Sequence, residues 1–261
     1  MTLPFDQAID PPFDPWSRFR NATRARIGLG RSGDALPTKA LLDFQQAHAA
    51  ARDAVHGAVD FDAIAAQLAP LTTIRAASQA TDRSVYLRRP DLGRRLAQDT
   101  ALPQGDWDVV FVIADGLSAA AVQDHAVPTL QACLKQLSGW RVGPVVLASQ
   151  ARVALGDQVG QQTGAKLCAM LIGERPGLSV ANSLGLYLTW EPRPGRKDSE
   201  RNCISNVHSD GLSHDGAADK LVWLMTEARH RRLTGVDLKE NAGGQLSAPE
   251  TGNAVIGQNR E

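Results

Sequence analysis

DVVFVIADGLS, residues 108–118, is a run of β-branched and large apolar residues that stops at Asp115-Gly116 and passes into the alanine-rich, helix-competent segment SAAAVQ. A strand apolar on both faces needs helices over both sides of a parallel sheet, and such sheets bind ligands just beyond the carboxyl ends of their strands. The pattern recurs twice: VGPVVLAS (142–149) runs into QARVALGDQVG (150–160), and AKLCAMLIG (165–173) runs into ERPG (174–177). Spacings of about thirty residues are those of βαβ units. Topology alone therefore makes Asp115, Arg152 or Val153, and Glu174 neighbours at the ligand-binding edge of a sheet.

Around this centre the chain divides into four stretches. Residues 1–16 carry four prolines and little periodicity, so they are expected to be extended. Residues 17–105 read as a helical portion. In TKALLDFQQAHAAARDAV (38–55), Leu41, Phe44, His48, Ala51 and Val55 share one face, with Thr38 as N-cap, and shorter helices are expected at 61–68 and 92–98. Residues 106–240 form the sheet domain, with GLYLTW (185–190) as its last evident strand and a closing helix at 219–232 whose stripe is Leu221, Leu224, Met225 and Ala228. The polar, Gly- and Asn-rich tail 241–261 reads as flexible. The expected fold class is α/β: a helical N-terminal portion followed by a Rossmann-like, doubly wound, mostly parallel sheet.

Among the 261 residues, 28 Lys plus Arg balance 28 Asp plus Glu, so nothing global points to nucleic acid or an anionic membrane. The basic clusters at 17–31, 88–95 and 227–232 read first as solvated faces or pairing surfaces. Cys133, Cys168 and Cys203 are odd in number and widely spaced, which fits a reducing compartment. No apolar run reaches the roughly 20 residues of a bilayer span, and the N-terminus lacks the pattern of a secretory signal. An intracellular, soluble protein is expected.

Several motifs are weaker than they look. Gly28, Gly30 and Gly33 satisfy GxGxxG formally, yet no strand precedes them and Leu36-Pro37 follows, so a glycine-rich turn is the favoured reading. NVHSDG (206–211) approaches a DxHxxG cobalt-ligand signature with Asn in place of Asp, which leaves His208 as a polar loop histidine. Glu174 can offer a carboxylate to a ligand, or pair with a nearby arginine. Cys203 by itself reads as a packing residue. The remaining histidines show no metal-site spacing. A self-contained nucleotide-dependent oxidoreductase or hydrolase is the competing reading, and no GxSxG elbow or Walker A loop supports it.

Six segments in order, TRARIGLGRSGDALPTKALLDFQQAHAAARDAVH (23–56), YLRRPDLGRRL (86–96), DVVFVIADGLSAAAV (108–122), ARVALGDQVG (151–160), LIGERPGLS (171–179) and PRPGRKDSERNCISNV (192–207), closely resemble the small (light) subunit of ethanolamine ammonia-lyase. The resemblance covers about residues 16–240. It implies an adenosylcobalamin-dependent radical enzyme that converts ethanolamine to acetaldehyde and ammonia, with a large-subunit partner whose (β/α)₈ barrel holds the substrate. It also implies a hetero-oligomer of paired subunits. Carried over by motif, the cofactor contacts are Val153, Glu174 and Cys203, with no catalytic residue in this chain and no protein-ligated metal. The cofactor's own dimethylbenzimidazole is the implied lower axial ligand. A cytoplasmic location follows, either free or within a bacterial microcompartment. One departure is Asn182, where the family pattern leads one to expect Asp.

Overall fold

The computed structural model describes residues 14–239; the tail 241–261 and nearly all of the Pro-rich segment fall outside that range. Three helices come first, α1 (Ser17–Ala22), α2 (Thr38–His56) and α3 (Phe61–Leu68), followed by strand β1 (Thr73–Ala77) and the short helix α4 (Arg83–Arg88). The remainder runs β2 (Val109–Ala114), α5 (Ala119–Gln136), β3 (Val145–Ser149), α6 (Leu155–Thr163), β4 (Leu167–Gly173), β5 (Leu184–Trp190), β6 (Arg201–Val207) and α7 (His214–Arg231). No helix among the described residues is long and apolar enough to cross a membrane.

The six strands form one sheet in the order β1-β3-β2-β4-β5-β6. The first four pair in parallel, and β5 and β6 add antiparallel strands. The reason lies in side-chain alternation: Val109, Phe111 and Ile113 of β2 face one core with α3, α5 and α7, while Val110, Val112 and Ala114 face a second core with α6. β4 splits the same way, Leu167, Ala169 and Leu171 against Cys168, Met170 and Ile172. Strands buried on both faces carry continuous apolar runs, which is why these were legible. The helices after β2 and β3 lie on opposite faces, so the adjacent carboxyl ends of these strands form a switch point where a crevice opens.

Six expectations need correcting. The first hundred residues are not all helical, because β1 pairs with β3 from Thr73↔Val145 to Ala77↔Ser149. It is a half-exposed edge strand with Arg75 in its middle, so no apolar run announces it. β5 is not the last strand: β6 buries Arg201, Ile204 and Val207, leaves Asn202 half-buried and exposes Cys203, Ser205 and Asn206. Residues 92–98 give only a 3₁₀ turn at Leu92–Arg94. Thr38 is the first residue of α2, after Pro37, and makes no side-chain cap. The face of α2 read as buried is also largely open, with Leu41 41% and Phe44 39% exposed. The closing helix keeps its expected stripe of Leu221, Leu224, Met225 and Ala228 but starts earlier, capped by Ser213.

At the amino end of β2 a buried carboxylate gathers cations. Asp108 accepts from Arg141 Nη2 at 2.9 Å, Arg141 Nε at 3.2 Å and Lys166 Nζ at 3.2 Å, with Arg229 Nη1 at 3.9 Å. Arg141 holds its carboxyl far below the usual carboxylate range, against the opposing effect of burial. Depressed in the folded state, this group stabilises above about pH 4 and loses that contribution as pH falls through the acid range. Asp108→Asn is expected to lower stability at neutral pH by about 2 kcal/mol, the scale of a charge-assisted hydrogen bond. Urea denaturation from pH 7 to 3 checks this: the variant's deficit narrows toward acid, and a constant deficit contradicts the assignment.

Candidate functional site

The mouth at the carboxyl edge is built on Asp115, the residue after β2. Its Oδ2 accepts from the Gln150 N–H at 2.8 Å and its Oδ1 from the Ala151 N–H at 3.0 Å, which ties the end of β2 to the turn after β3. Gln150 sits at φ +52°, a left-handed conformation that this pair of bonds holds in place. Arg83 Nη1 approaches Asp115 Oδ2 at 3.6 Å and donates to the Gly116 carbonyl at 2.8 Å, while its Nε donates to the Val55 carbonyl at 2.6 Å. Burial pushes the Asp115 carboxyl up, and the two N–H donors and Arg83 oppose that shift.

Gly116 follows at φ +56°, and a Cβ there would lie 2.2 Å from the Gly173 carbonyl oxygen. The Leu117 N–H donates to that same carbonyl at 2.8 Å, so the loop after β2 rests directly on the end of β4. Ser118 then caps α5, accepting from the Ala121 N–H at 3.2 Å and donating to the Ala181 carbonyl at 2.8 Å.

Between these loops lies a cavity of about 440 Å³, lined among others by Tyr86, Arg152, Val153, Glu174, Arg175 and Tyr187. Tyr86 is fully buried and its hydroxyl donates to the Ala151 carbonyl at 3.0 Å. The Arg83 and Arg152 guanidinium carbons lie 4.8 and 4.4 Å from the centre of its ring. Gly93 makes this arrangement possible, since a Cβ there would meet Arg152 Cγ and Tyr86 Cε2 at 2.9 Å each. Burial pushes the Tyr86 hydroxyl well above its ordinary range.

On the far wall, Glu174 Oε2 accepts from Ser183 Oγ at 2.5 Å and from the Asn206 N–H at 3.3 Å. Gly185 on β5 leaves room for the carboxylate, because a Cβ there would lie 2.9 Å from Glu174 Oε1. Tyr187 is the cross-strand partner of Cys203 and hydrogen-bonds to its thiol. Desolvation pushes the Cys203 thiol up; the Tyr187 hydrogen bond opposes this, and the negative charge of Glu174 adds to it. Little thiolate is present near neutral pH, so the geometry gives Cys203 no nucleophile's role.

Of the residues singled out from sequence, Val153 and Glu174 line one cavity and Cys203 lies one hydrogen bond from it, through Tyr187. The charge of Glu174 is met by Ser183 and a backbone N–H, with no arginine hydrogen-bonded to it among the described residues. Sequence reading missed Tyr86, Arg83 and Tyr187; the one available signal was a tyrosine set seven residues before a glycine in an otherwise charged stretch. Gly28, Gly30 and Gly33 all take positive φ with no strand before them, and the site of a Gly28 Cβ is filled by Trp16, as the turn reading requires. Gly28 and Gly30 line a separate, larger hollow of about 880 Å³ between α1 and α2, which shares no lining residue with the cavity beside Val153 and Glu174. His208 is buried, with Nε2 2.9 Å from Asn206 Oδ1 and Nδ1 accepting from the Asp210 N–H at 3.2 Å. Both ring nitrogens are thereby engaged, and the described residues hold no cluster able to take a metal. Asn182 Nδ2 donates to Asp124 Oδ2 at 3.1 Å, a contact that an aspartate at 182 would turn into carboxylate repulsion.

Because the mouth depends on a close backbone approach at Gly116, Gly116→Ala is expected to cost about 2 to 4 kcal/mol, combining a strained positive φ with overpacking. Chemical denaturation measures the loss; a change under 0.5 kcal/mol would mean that the loop does not rest on β4 as described.

The profile of the ethanolamine ammonia-lyase light chain matches residues 13–239. The chain is 50% identical to the ethanolamine ammonia-lyase small subunit of Pseudomonas syringae pv. tomato, over 96% of this chain and 91% of that protein. It is likewise 50% identical to the small subunit from Pseudomonas fluorescens, over 93% and 94% of the two chains. With the small subunit from Pseudomonas aeruginosa it shares 49% identity over the same proportions. Match of profile and of near full-length relatives places the chain in one family: it belongs to the small, or light, subunits of ethanolamine ammonia-lyase, and is a subunit of a lyase.

Proposed function

We propose that this chain forms one wall of an adenosylcobalamin site shared with the large subunit, in an enzyme that converts ethanolamine to acetaldehyde and ammonia by radical chemistry. The observation that carries the reading is the meeting of Val153 and Glu174 in one cavity at the carboxyl edge of the sheet, with Cys203 beside it. A hollow of about 440 Å³ takes an arm of so large a cofactor and leaves the rest to the partner. When bound, the cofactor supplies radical hydrogen abstraction through its weak cobalt–carbon bond.

The chain's own residues bind and orient. Glu174 Oε1 has no protein donor among the described residues and is free to accept from an amide or ribose hydroxyl, while Oε2 is fixed by Ser183. Val153 offers an apolar surface just before the first turn of α6. Cys203 presents a protonated thiol, held by Tyr187, as a compact apolar contact. Both nitrogens of His208 are engaged in its own loop, so that loop would offer the cofactor no free histidine nitrogen. The exposed Trp16, Phe19, Leu41, Leu42 and Phe44 give apolar surface for the large subunit.

Two outcomes follow. Ethanolamine turnover with added adenosylcobalamin is expected only when the chain is combined with a large subunit, and acetaldehyde release by the chain alone would refute the division of labour. In the reconstituted complex, Glu174→Ala is expected to weaken cobalamin binding by about 1 to 3 kcal/mol, the scale of a lost buried hydrogen bond, with ethanolamine KM at saturating cofactor unchanged. Spectroscopic cofactor titration and steady-state kinetics separate the two; a shift confined to ethanolamine KM overturns the role given to Glu174.

A further inference from the structure

We propose that Arg152 is the anchor for the phosphodiester of the cofactor's nucleotide tail, an assignment that rests on the cobalamin reading above and names the group this part of the cavity recognises. The guanidinium of Arg152 makes no hydrogen bond and no ion pair with any described residue; its one close partner is the face of Tyr86, at 4.4 Å. Its Nε is buried without an acceptor. Half-buried guanidinium groups are ordinarily met by carboxylates or carbonyls, and one left open at a cavity wall is poised for an acceptor that arrives with the ligand.

The rest of the cavity gives the sign of that acceptor. Arg175 also lines it and likewise has no hydrogen bond or ion pair to the described residues. The one lining carboxylate, Glu174, is partly satisfied within the protein by Ser183 Oγ and the Asn206 N–H. Val153 lies two residues before Leu155, so the amino end of α6, with its partial positive charge, also opens here. Two unpaired guanidinium groups and a helix amino end outweigh a single carboxylate, and the site calls for an anion. The amides and hydroxyls of a cobalamin are neutral, and its phosphodiester is the one permanent anion it carries.

Arg152 is also held ready. Its backbone N–H donates to the Gly93 carbonyl at 2.7 Å, and the ring beneath its guanidinium is fixed by the Tyr86 hydroxyl bond to Ala151. The planar fork therefore meets a phosphate without first being ordered, a service that a lysine ammonium on the same backbone would render only in part.

The test compares adenosylcobalamin with adenosylcobinamide, which lacks the phosphodiester and its nucleotide, by spectroscopic titration of the complex reconstituted with the large subunit. Wild type, Arg152→Met and Arg152→Lys are titrated with both. Arg152→Met is expected to lose about 10- to 100-fold in cobalamin affinity and none in cobinamide affinity, with Arg152→Lys in between. If Arg152→Met disturbs the mouth and weakens both ligands, Arg152→Lys decides: a loss confined to cobalamin upholds the anchor. Equal losses for the two ligands in Arg152→Lys, or undiminished cobalamin binding by Arg152→Met, overturn it while leaving the cobalamin reading intact. Failure of the wild-type complex to bind cobalamin at all overturns both.

Discussion

The carboxylate of Asp115 fixes the geometry on which the site depends. Its two oxygens receive the N–H groups of Gln150 and Ala151, and Arg83 bridges from Asp115 to the carbonyls of Gly116 and Val55. Three separate lengths of chain, the start of α4 and the turns after β2 and β3, meet through this one side chain. An isolated buried carboxylate would be strongly unfavourable; here the backbone donors and the guanidinium offset part of the desolvation. Arg152 and Val153 follow directly from the segment so held, which is why the wall of the cavity is preformed.

The inner part of this architecture was readable from residues 108–173 because a strand covered on both faces must be apolar throughout, and β2, β3 and β4 are. That same reading brought Val153 and Glu174 together without coordinates. The edges were not readable for the converse reason. β1 carries Arg75 and β6 alternates buried with open positions, so neither presents a run that a one-dimensional pattern can recognise. Tyr86 was hidden in a basic segment that reads as a solvated face, although its ring is fully buried between two arginines from different parts of the chain. His125 and His214, 89 positions apart, stand 3.1 Å from each other, a contact that no local spacing encodes.

The open apolar face of α2 marks another boundary of sequence reading. Amphipathic periodicity says that Leu41 and Phe44 share a side; it does not say that the partner of that side lies in the same chain. The function proposed above gives that open side to the large subunit.

Gly185 carries a consequence for how such chains diverge. Its missing side chain is the space in which the Glu174 carboxylate sits, so any larger residue at 185 would rotate that carboxylate away from the mouth while leaving its identity and charge unchanged. The two positions are thus sterically coupled. A change at 185 could keep the glutamate and lose its orientation, so the residue on the neighbouring strand sets where that carboxylate points.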